Sequence, residues 1–378
     1  MEELTKVRRE LHQLAEVSGK EKKTAKKIKE FLATTNPDEL ITGVGGHGIA
    51  ACYKGSKDGP SVMLRCELDA LPIPEENDFK YKSSDKDTGH KCGHDGHMAI
   101  ICGVAKHLKE QSALAGNVYL LFQPAEETGE GAQQVLEDEK FKELQPDYIF
   151  ALHNLPGYEK NTVVVKEDVF AAASVGFIAR FKGATSHAAH PEQGKSPALA
   201  MAQLVQSLSA IPQFDASLDD AAKVTVIHAR LGERAFGTSP GYAEVMATLR
   251  TYDDELLEKM KEKASKISKG LAATYNLAID TEWVEAFAAT KNDVEMTSII
   301  RQVAEDKGMS IKRKQTPFSW SEDFGHFTKQ IPGAMFGLGS GVNQSSLHAS
   351  DYDFPDEIIP AGVEMFVGII NKIQKNRK

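Results

Sequence analysis

Apolar residues Leu4, Val7, Leu11, Leu14 and Ala15 recur at helical spacing and predict a helical start to the chain. Short apolar runs at Gly48–Tyr53 and 61–68 predict strands, separated by a turn at Asp58-Gly59-Pro60. The pattern then alternates. Residues 98–108 read as a helix, 117–122 as a buried strand closed by Pro124, 131–136 as the start of another helix, and 147–152 as a second buried strand stopped by Asn154 and Pro156. Strand alternating with helix predicts an α/β layer around a largely parallel sheet. The middle of the chain has another period. Residues 175–181, 223–230 and Tyr242–Thr251 alternate apolar with polar, as half-buried antiparallel strands do, and 197–211 and 255–275 have the length and period of amphipathic helices. Two or three strands with two long helices make a small α+β layer. After about residue 290 the helix–strand alternation resumes. The expected fold is a catalytic α/β domain formed by 1–167 and 285–378, with an inserted α+β domain at 168–284.

Composition adds exclusions. The 378 residues are 41% hydrophobic and 26% charged, and the formal net charge is −9. That balance argues against a nucleic-acid partner, which would call for a basic face. No stretch approaches the roughly 18 apolar residues of a membrane span, and the opening MEELTKVRRELHQLAE has no apolar signal core. Four cysteines, Cys52, Cys66, Cys92 and Cys102, are too few for a disulfide scaffold and contain no Cys-x-x-Cys pair. Reduced thiols and a cytoplasmic setting are expected, with Cys52, Cys66 and Cys102 acting as small buried hydrophobes.

Polar residues at strand ends, where an α/β sheet places its ligands, form the candidate chemistry. They are Glu67-Leu-Asp69, Cys92-Gly-His94-Asp-Gly-His97, Glu126-Glu127, His153 and His348. A thiolate and an imidazole two residues apart, Cys92 and His94, can reach one metal ion or one metal pair, and suit zinc, manganese, nickel or cobalt when carboxylates join them. His97, one turn into the following helix, fits packing or support better than ligation. Adjacent buried carboxylates are costly unless paired or coordinated. Of Glu126 and Glu127, one can hold a metal while the other takes a proton from water. His153 closes another strand.

These segments resemble the M20 metallopeptidase family, in its amidohydrolase branch of aminoacylase-like, hippurate-hydrolase-like and auxin-conjugate-hydrolase-like enzymes. The resemblance rests on Glu67-Leu-Asp-Ala-Leu-Pro72, Cys92-Gly-His-Asp-Gly-His97, Phe122-Gln-Pro-Ala-Glu-Glu127, Leu152-His153, Ser186-His-Ala-Ala-His-Pro191, Ser321-Glu-Asp-Phe324 and Leu347-His348, in the family's order over nearly the whole chain. It implies two divalent metals bridged by Cys92, with His94, Glu127, His153 and His348 as the other ligands. It also implies Glu126 as general base and acid, Asp69 orienting a ligand from behind, and His187 as a donor toward the substrate or its oxyanion. The inserted domain would be a lid or dimerisation domain, and the protein a homodimer or higher homo-oligomer. Arg250 stands where the family often has an arginine and could hold a substrate carboxylate. One segment departs from the pattern: where the family commonly has an Asn-Val-Ile-Pro-like stretch, this chain has Gly237-Thr238-Ser239-Pro240, with no amide at the first position. The function implied is hydrolysis of small N-acylated amino acids or related amides; a dipeptidase or carboxypeptidase-like exopeptidase is the alternative. A binding protein that has lost catalysis fits poorly, because Glu126 is present beside the ligand set.

Overall fold

The computed structural model describes residues 2–111 and 114–375. The chain forms two compact units, one of residues 1–170, 290–317 and 322–378, the other of 171–289 and 318–321. The boundary at 284 read from the sequence falls inside the strand Ala278–Phe287, which pairs with Ala173–Lys182.

The first unit is built on an eight-stranded sheet. Its order is Glu39–Val44, Gly48–Tyr53, Val118–Gln123, Val62–Glu67, Tyr148–Pro156, Gly333–Gly341, Val163–Val165 and Ile311–Arg313. The four middle strands, from Val118–Gln123 to Gly333–Gly341, run parallel, while Glu39–Val44 and Gly48–Tyr53 form an antiparallel edge. Val62–Glu67 and Val118–Gln123 are buried at every position. They read as continuous apolar runs because helices cover both faces of such a sheet. Helices His94–Lys109, Val294–Asp306 and Ile359–Lys375 contribute Ile100, Val104, Ile300, Val303, Phe366 and Ile369 to one large core.

Three local differences from the sequence pattern have physical causes. The predicted helical start is two helices, Glu2–Leu14 and Lys22–Ala33. The break contains the turn at 17–20, in which Gly19 takes φ +74°, a conformation glycine adopts without strain. The helix expected over 98–108 begins earlier, at His94, directly after Gly93. The strand expected over 147–152 runs to Pro156, so His153 lies within it.

The second unit has a four-stranded antiparallel sheet in the order Ala222–Leu231, Tyr242–Thr251, Ala173–Lys182 and Ala278–Phe287. Tyr242–Thr251 alternates buried and half-buried residues along its whole length. The buried face packs on helices Ala198–Asp215 and Asp254–Thr274 through Val245, Ala247, Leu204, Leu208 and Met260. On the other face Arg180 bonds Glu244 and Glu282 on the two flanking strands, the cross-strand ion pairing expected of a solvated surface.

Candidate metal centre

The carboxyl ends of the parallel strands deliver the polar segments of the first unit. Glu67 and Gln123 end adjacent strands and pair in register. His153 lies opposite Gly337. The next element after Val62–Glu67 in the helix layer starts at His94, preceded by Gly93 at φ +98°. A Cβ at Gly93 would lie 2.6 Å from the Asn154 side-chain oxygen, so only glycine lets the Cys92–His94 turn come this close to the strand carrying His153.

Cys92 Sγ lies 3.4 Å from His153 Nε2. His153 Nδ1 donates to the Asn154 carbonyl at 2.9 Å, which leaves Nε2 with its lone pair facing the sulfur. Burial holds this imidazole neutral, with a pKa lowered to about 3. His94 Nδ1 lies 2.9 Å from the Asp69 carbonyl. His94 Nε2 is buried, has no hydrogen-bond partner among the described residues, and stands 3.8 Å from Glu126 and 3.9 Å from Glu127. Glu127 also leaves a buried oxygen unpartnered, and its other oxygen is 3.8 Å from His348 Nε2. His348 has φ +66° and is anchored by its N–H to the Lys91 carbonyl at 2.8 Å. Asp69 accepts from Glu127 N at 2.9 Å and from Ser18 Oγ at 2.7 Å, so it fixes the backbone beneath the cluster.

Ligand atoms thus gather in sets with spacings suited to an ion: Cys92 with His94 and His153, Cys92 with Glu127 and His348, and His94 with Glu126 and Glu127, every atom of a set within 4.8 Å of the others. Cys92 belongs to two of these sets. The electrostatics agree with a cation site. Burial pushes Glu127 up to about 7. It pushes Glu126 well above the usual carboxylate range, with Glu322 and Glu127 adding to the effect. Burial opposes charge on His94 too, but the bond to Asp69 and the field of Glu67 and Glu127 lift it to about 10. Without an ion, the cluster keeps protons to offset its own negative charge. A divalent ion would displace them. Bare buried acceptors, a neutral His153 and protons held against carboxylates together fit a metal-binding role.

The sequence pattern points to packing or support for His97 but does not reveal the network around Arg65. Arg65 is fully buried and bonds Gln123 at 2.7 Å, Glu322 at 2.9 Å and Asp323 at 2.5 Å, as well as Glu67. Glu67 in turn bonds His97 at 2.7 Å, and His97 reaches Asn154 at 2.6 Å. His97 therefore sits in a support network next to the ligand set. The Asp323 N–H points at Glu126 Oε1, 3.4 Å away. Arg65 carries a charge inside an apolar strand, a sequence signal that something acidic must meet it.

His187 and Arg250 belong to the second unit. His187 is exposed on a short strand, Ser186–His187, paired with Thr238–Ser239. Its Nδ1 accepts from Ala189 N at 3.1 Å, which leaves Nε2–H as the ring's donor. Gly237 lies beside it, with its carbonyl accepting from Ala188 N at 3.0 Å. Arg250 donates to the Ser319 carbonyl at 2.8 Å and Ser321 Oγ at 2.7 Å, both neutral oxygens.

Comparison with known proteins bears on this site. The description "Peptidase family M20/M25/M40" matches residues 63–372. The N-acetyl-L-cysteine deacetylase of Bacillus subtilis is 33% identical over 343 residues, covering 89% of this chain and 80% of that protein. A solved Bacillus subtilis structure, described as a dinuclear metal binding peptidase from the M20 family, superposes with a TM-score of 0.82 at 28% identity, over 99% of this chain and 98% of that one. The aminobenzoyl-glutamate utilization protein of Klebsiella pneumoniae shares the fold, with a TM-score of 0.78 at 23% identity over 99% and 97% of the two chains. A match spanning most of the chain, on a mostly parallel sheet with a cluster of buried metal-ligand side chains, establishes that this protein is a metal-dependent hydrolase belonging to peptidase family M20/M25/M40.

Proposed function

We propose that the protein hydrolyses the amide bond of small N-acylated amino acids or related amides, using two divalent ions. The observation that carries the reading is the sharing of Cys92 between two ligand sets, with Glu126 alongside but outside both. Cys92, His94, Glu127, His153 and His348 would hold the ions, drawn from zinc, manganese, nickel or cobalt. When bound, such ions lower the pKa of water and polarise the scissile carbonyl.

The remaining work falls to this chain's side chains. Glu126 lies beside the ligands and, in its ionised form, takes a proton from the attacking water before delivering it to the leaving nitrogen. Asp69 holds His94 and the Glu127 backbone in place. His187 presents Nε2–H as donor to the oxyanion. Arg250, whose hydrogen bonds go to neutral oxygens, supplies a charge for a substrate carboxylate. The second unit serves as lid and dimerisation domain of a homodimer or higher homo-oligomer. The relative that deacetylates N-acetyl-L-cysteine supports the N-acyl amino acid class. The solved relative described as a peptidase favours a second reading, dipeptide hydrolysis, which would use the same residues. Turnover of a panel of N-acetyl amino acids and dipeptides by protein reconstituted with each metal decides between them. Hydrolysis of neither class would refute both.

A further inference from the structure

Glu21 stands at the N-cap of helix Lys22–Ala33, yet its side chain makes no cap hydrogen bond. Glu16 caps that helix instead, accepting from Lys23 N at 2.7 Å, Thr24 N at 2.9 Å and Thr24 Oγ1 at 3.1 Å. The Glu21 carboxylate is fully buried. Its Oε1 accepts from Gly19 N at 2.8 Å and, across the fold, from Ala125 N at 2.8 Å, and its Oε2 has no partner among the described residues. A buried carboxylate with one bare oxygen is costly, and the helix it precedes does not need it.

Ala125 supplies the reason. It directly precedes Glu126 and Glu127 and has φ +51°, a left-handed conformation that an alanine holds only when its surroundings impose it. Its carbonyl accepts from Gly131 N at 2.9 Å and Thr128 Oγ1 at 3.3 Å, so its two peptide groups are gripped from opposite sides. The same 18–21 segment grips the turn again two residues on, because Ser18 bonds the Asp69 oxygen that accepts from Glu127 N. After this reversal each of the two adjacent carboxylates turns one oxygen toward His94 Nε2, at 3.8 and 3.9 Å, and the other toward a different partner: Glu126 Oε1 lies 3.4 Å from Asp323 N, and Glu127 Oε2 lies 3.8 Å from His348 Nε2.

We propose that Glu21 is a positioning residue of the hydrolytic site, holding Ala125 left-handed so that Glu126 and Glu127 take separate posts. The proposal rests on the reading of Glu126 as proton carrier and Glu127 as ligand. The group Glu21 contributes is an acceptor oxygen at a fixed place; its charge is incidental, and it touches neither substrate nor ion.

The test compares Glu21→Gln with Glu21→Ala in the full chain. Hydrogen exchange at the Ala125 amide is read in the metal-free protein, and kcat and KM for N-acetyl-L-cysteine are read after cobalt reconstitution. Glu21→Gln keeps an acceptor oxygen and should retain Ala125 protection and kcat within about threefold. Glu21→Ala should raise exchange at Ala125 by more than about tenfold and lower kcat by about 10²-fold, with KM moving far less, as expected when a catalytic group is misplaced by about 1 Å. Adding Ala125→Gly to Glu21→Ala should restore part of kcat, since glycine takes positive φ without strain. If Glu21→Ala does not fold, Glu21→Asp, one methylene too short to reach Ala125, is read in its place with the same expected losses. Native protection and kcat in the shortened variant, even with a lower Tm, would overturn the proposal, and so would equal damage from the Gln variant. Glu126→Gln in the same assay keeps the two readings apart. Full activity there removes Glu126 from the mechanism, while the Ala125 exchange still decides the role of Glu21.

Discussion

The two units carry their candidate chemistry in opposite ways. In the first, Cys92, His94, Glu126 and His153 are buried, and their backbones and rings are fixed by Asp69, Asn154 and Gly93. In the second, His187 is exposed on a two-residue strand and one backbone N–H sets its tautomer. A charge-dense centre must be assembled against desolvation, so its parts are interlocked. A donor that meets charge only in the transition state needs no such enclosure before substrate arrives. Damage to the proposed ligands or their supports in the first unit should therefore register in metal content or stability as well as rate, and damage in the second in rate alone.

Removing the ions probes the comparison most severely. Chelation should abolish turnover, and reloading with divalent metal should restore it. Because Glu126, Glu127 and His94 hold protons in the metal-free state, reloading near pH 7 should release protons. Calorimetry in buffers of different ionisation enthalpy measures that release, and proton-neutral uptake would contradict the account. Next in size, Glu126→Gln should lower kcat by about 10²–10⁴-fold while metal analysis stays near native. In the second unit, His187→Ala should lower kcat by about 10²–10³-fold with Tm and metal content unchanged, and His190→Ala should keep most activity. Equal small effects from the two histidines would erase the contrast between units.

A pH series sharpens the first half of the comparison. Burial disfavours charge on His12, yet Asp95 and Glu75 lift it to about 9. Burial likewise opposes charge on Glu75, but His12 and Lys91 lower it to about 2. The raised histidine stabilises the fold fully below about pH 6.5, and its contribution disappears as pH rises through about 9. The lowered glutamate contributes above about pH 4.5, and its share is lost as pH falls toward about 2. Each is worth on the order of 3 kcal/mol. Denaturation midpoints should fall on both sides of that window, and His12→Phe should flatten the alkaline limb. The smallest effect expected is from Gly237→Asn. A Cβ there meets open space, so the fold should be untouched while KM for N-acyl substrates shifts by less than about tenfold, the scale of a single hydrogen bond.

What the sequence disclosed was local. Cys92-Gly-His94 and Glu126-Glu127 are short segments whose residue types announce coordination chemistry, and the parallel strands show as unbroken apolar runs. The support network stayed hidden because its partners are remote. Arg65 meets Glu322 and Asp323 across more than 250 positions, and no periodicity encodes such a pairing. The strand Ala278–Phe287 escaped the count of strands because it is a half-exposed edge, with Asp280 and Glu282 facing Arg180. The helix break at 15–21 was signalled by Ser18-Gly19 and by the lapse of apolar spacing after Ala15, and reading the start of the chain simply as helical passed over both.

The sulfur at the centre has one more consequence, for durability. All four cysteines are free and buried, and burial, reinforced by Glu127 and Glu126, holds the Cys92 thiol protonated far above its usual range. Oxidants and alkylating agents attack the thiolate, not the thiol. Under the proposed reading, burial would keep Cys92 in its less reactive thiol form until ions bind and displace its proton.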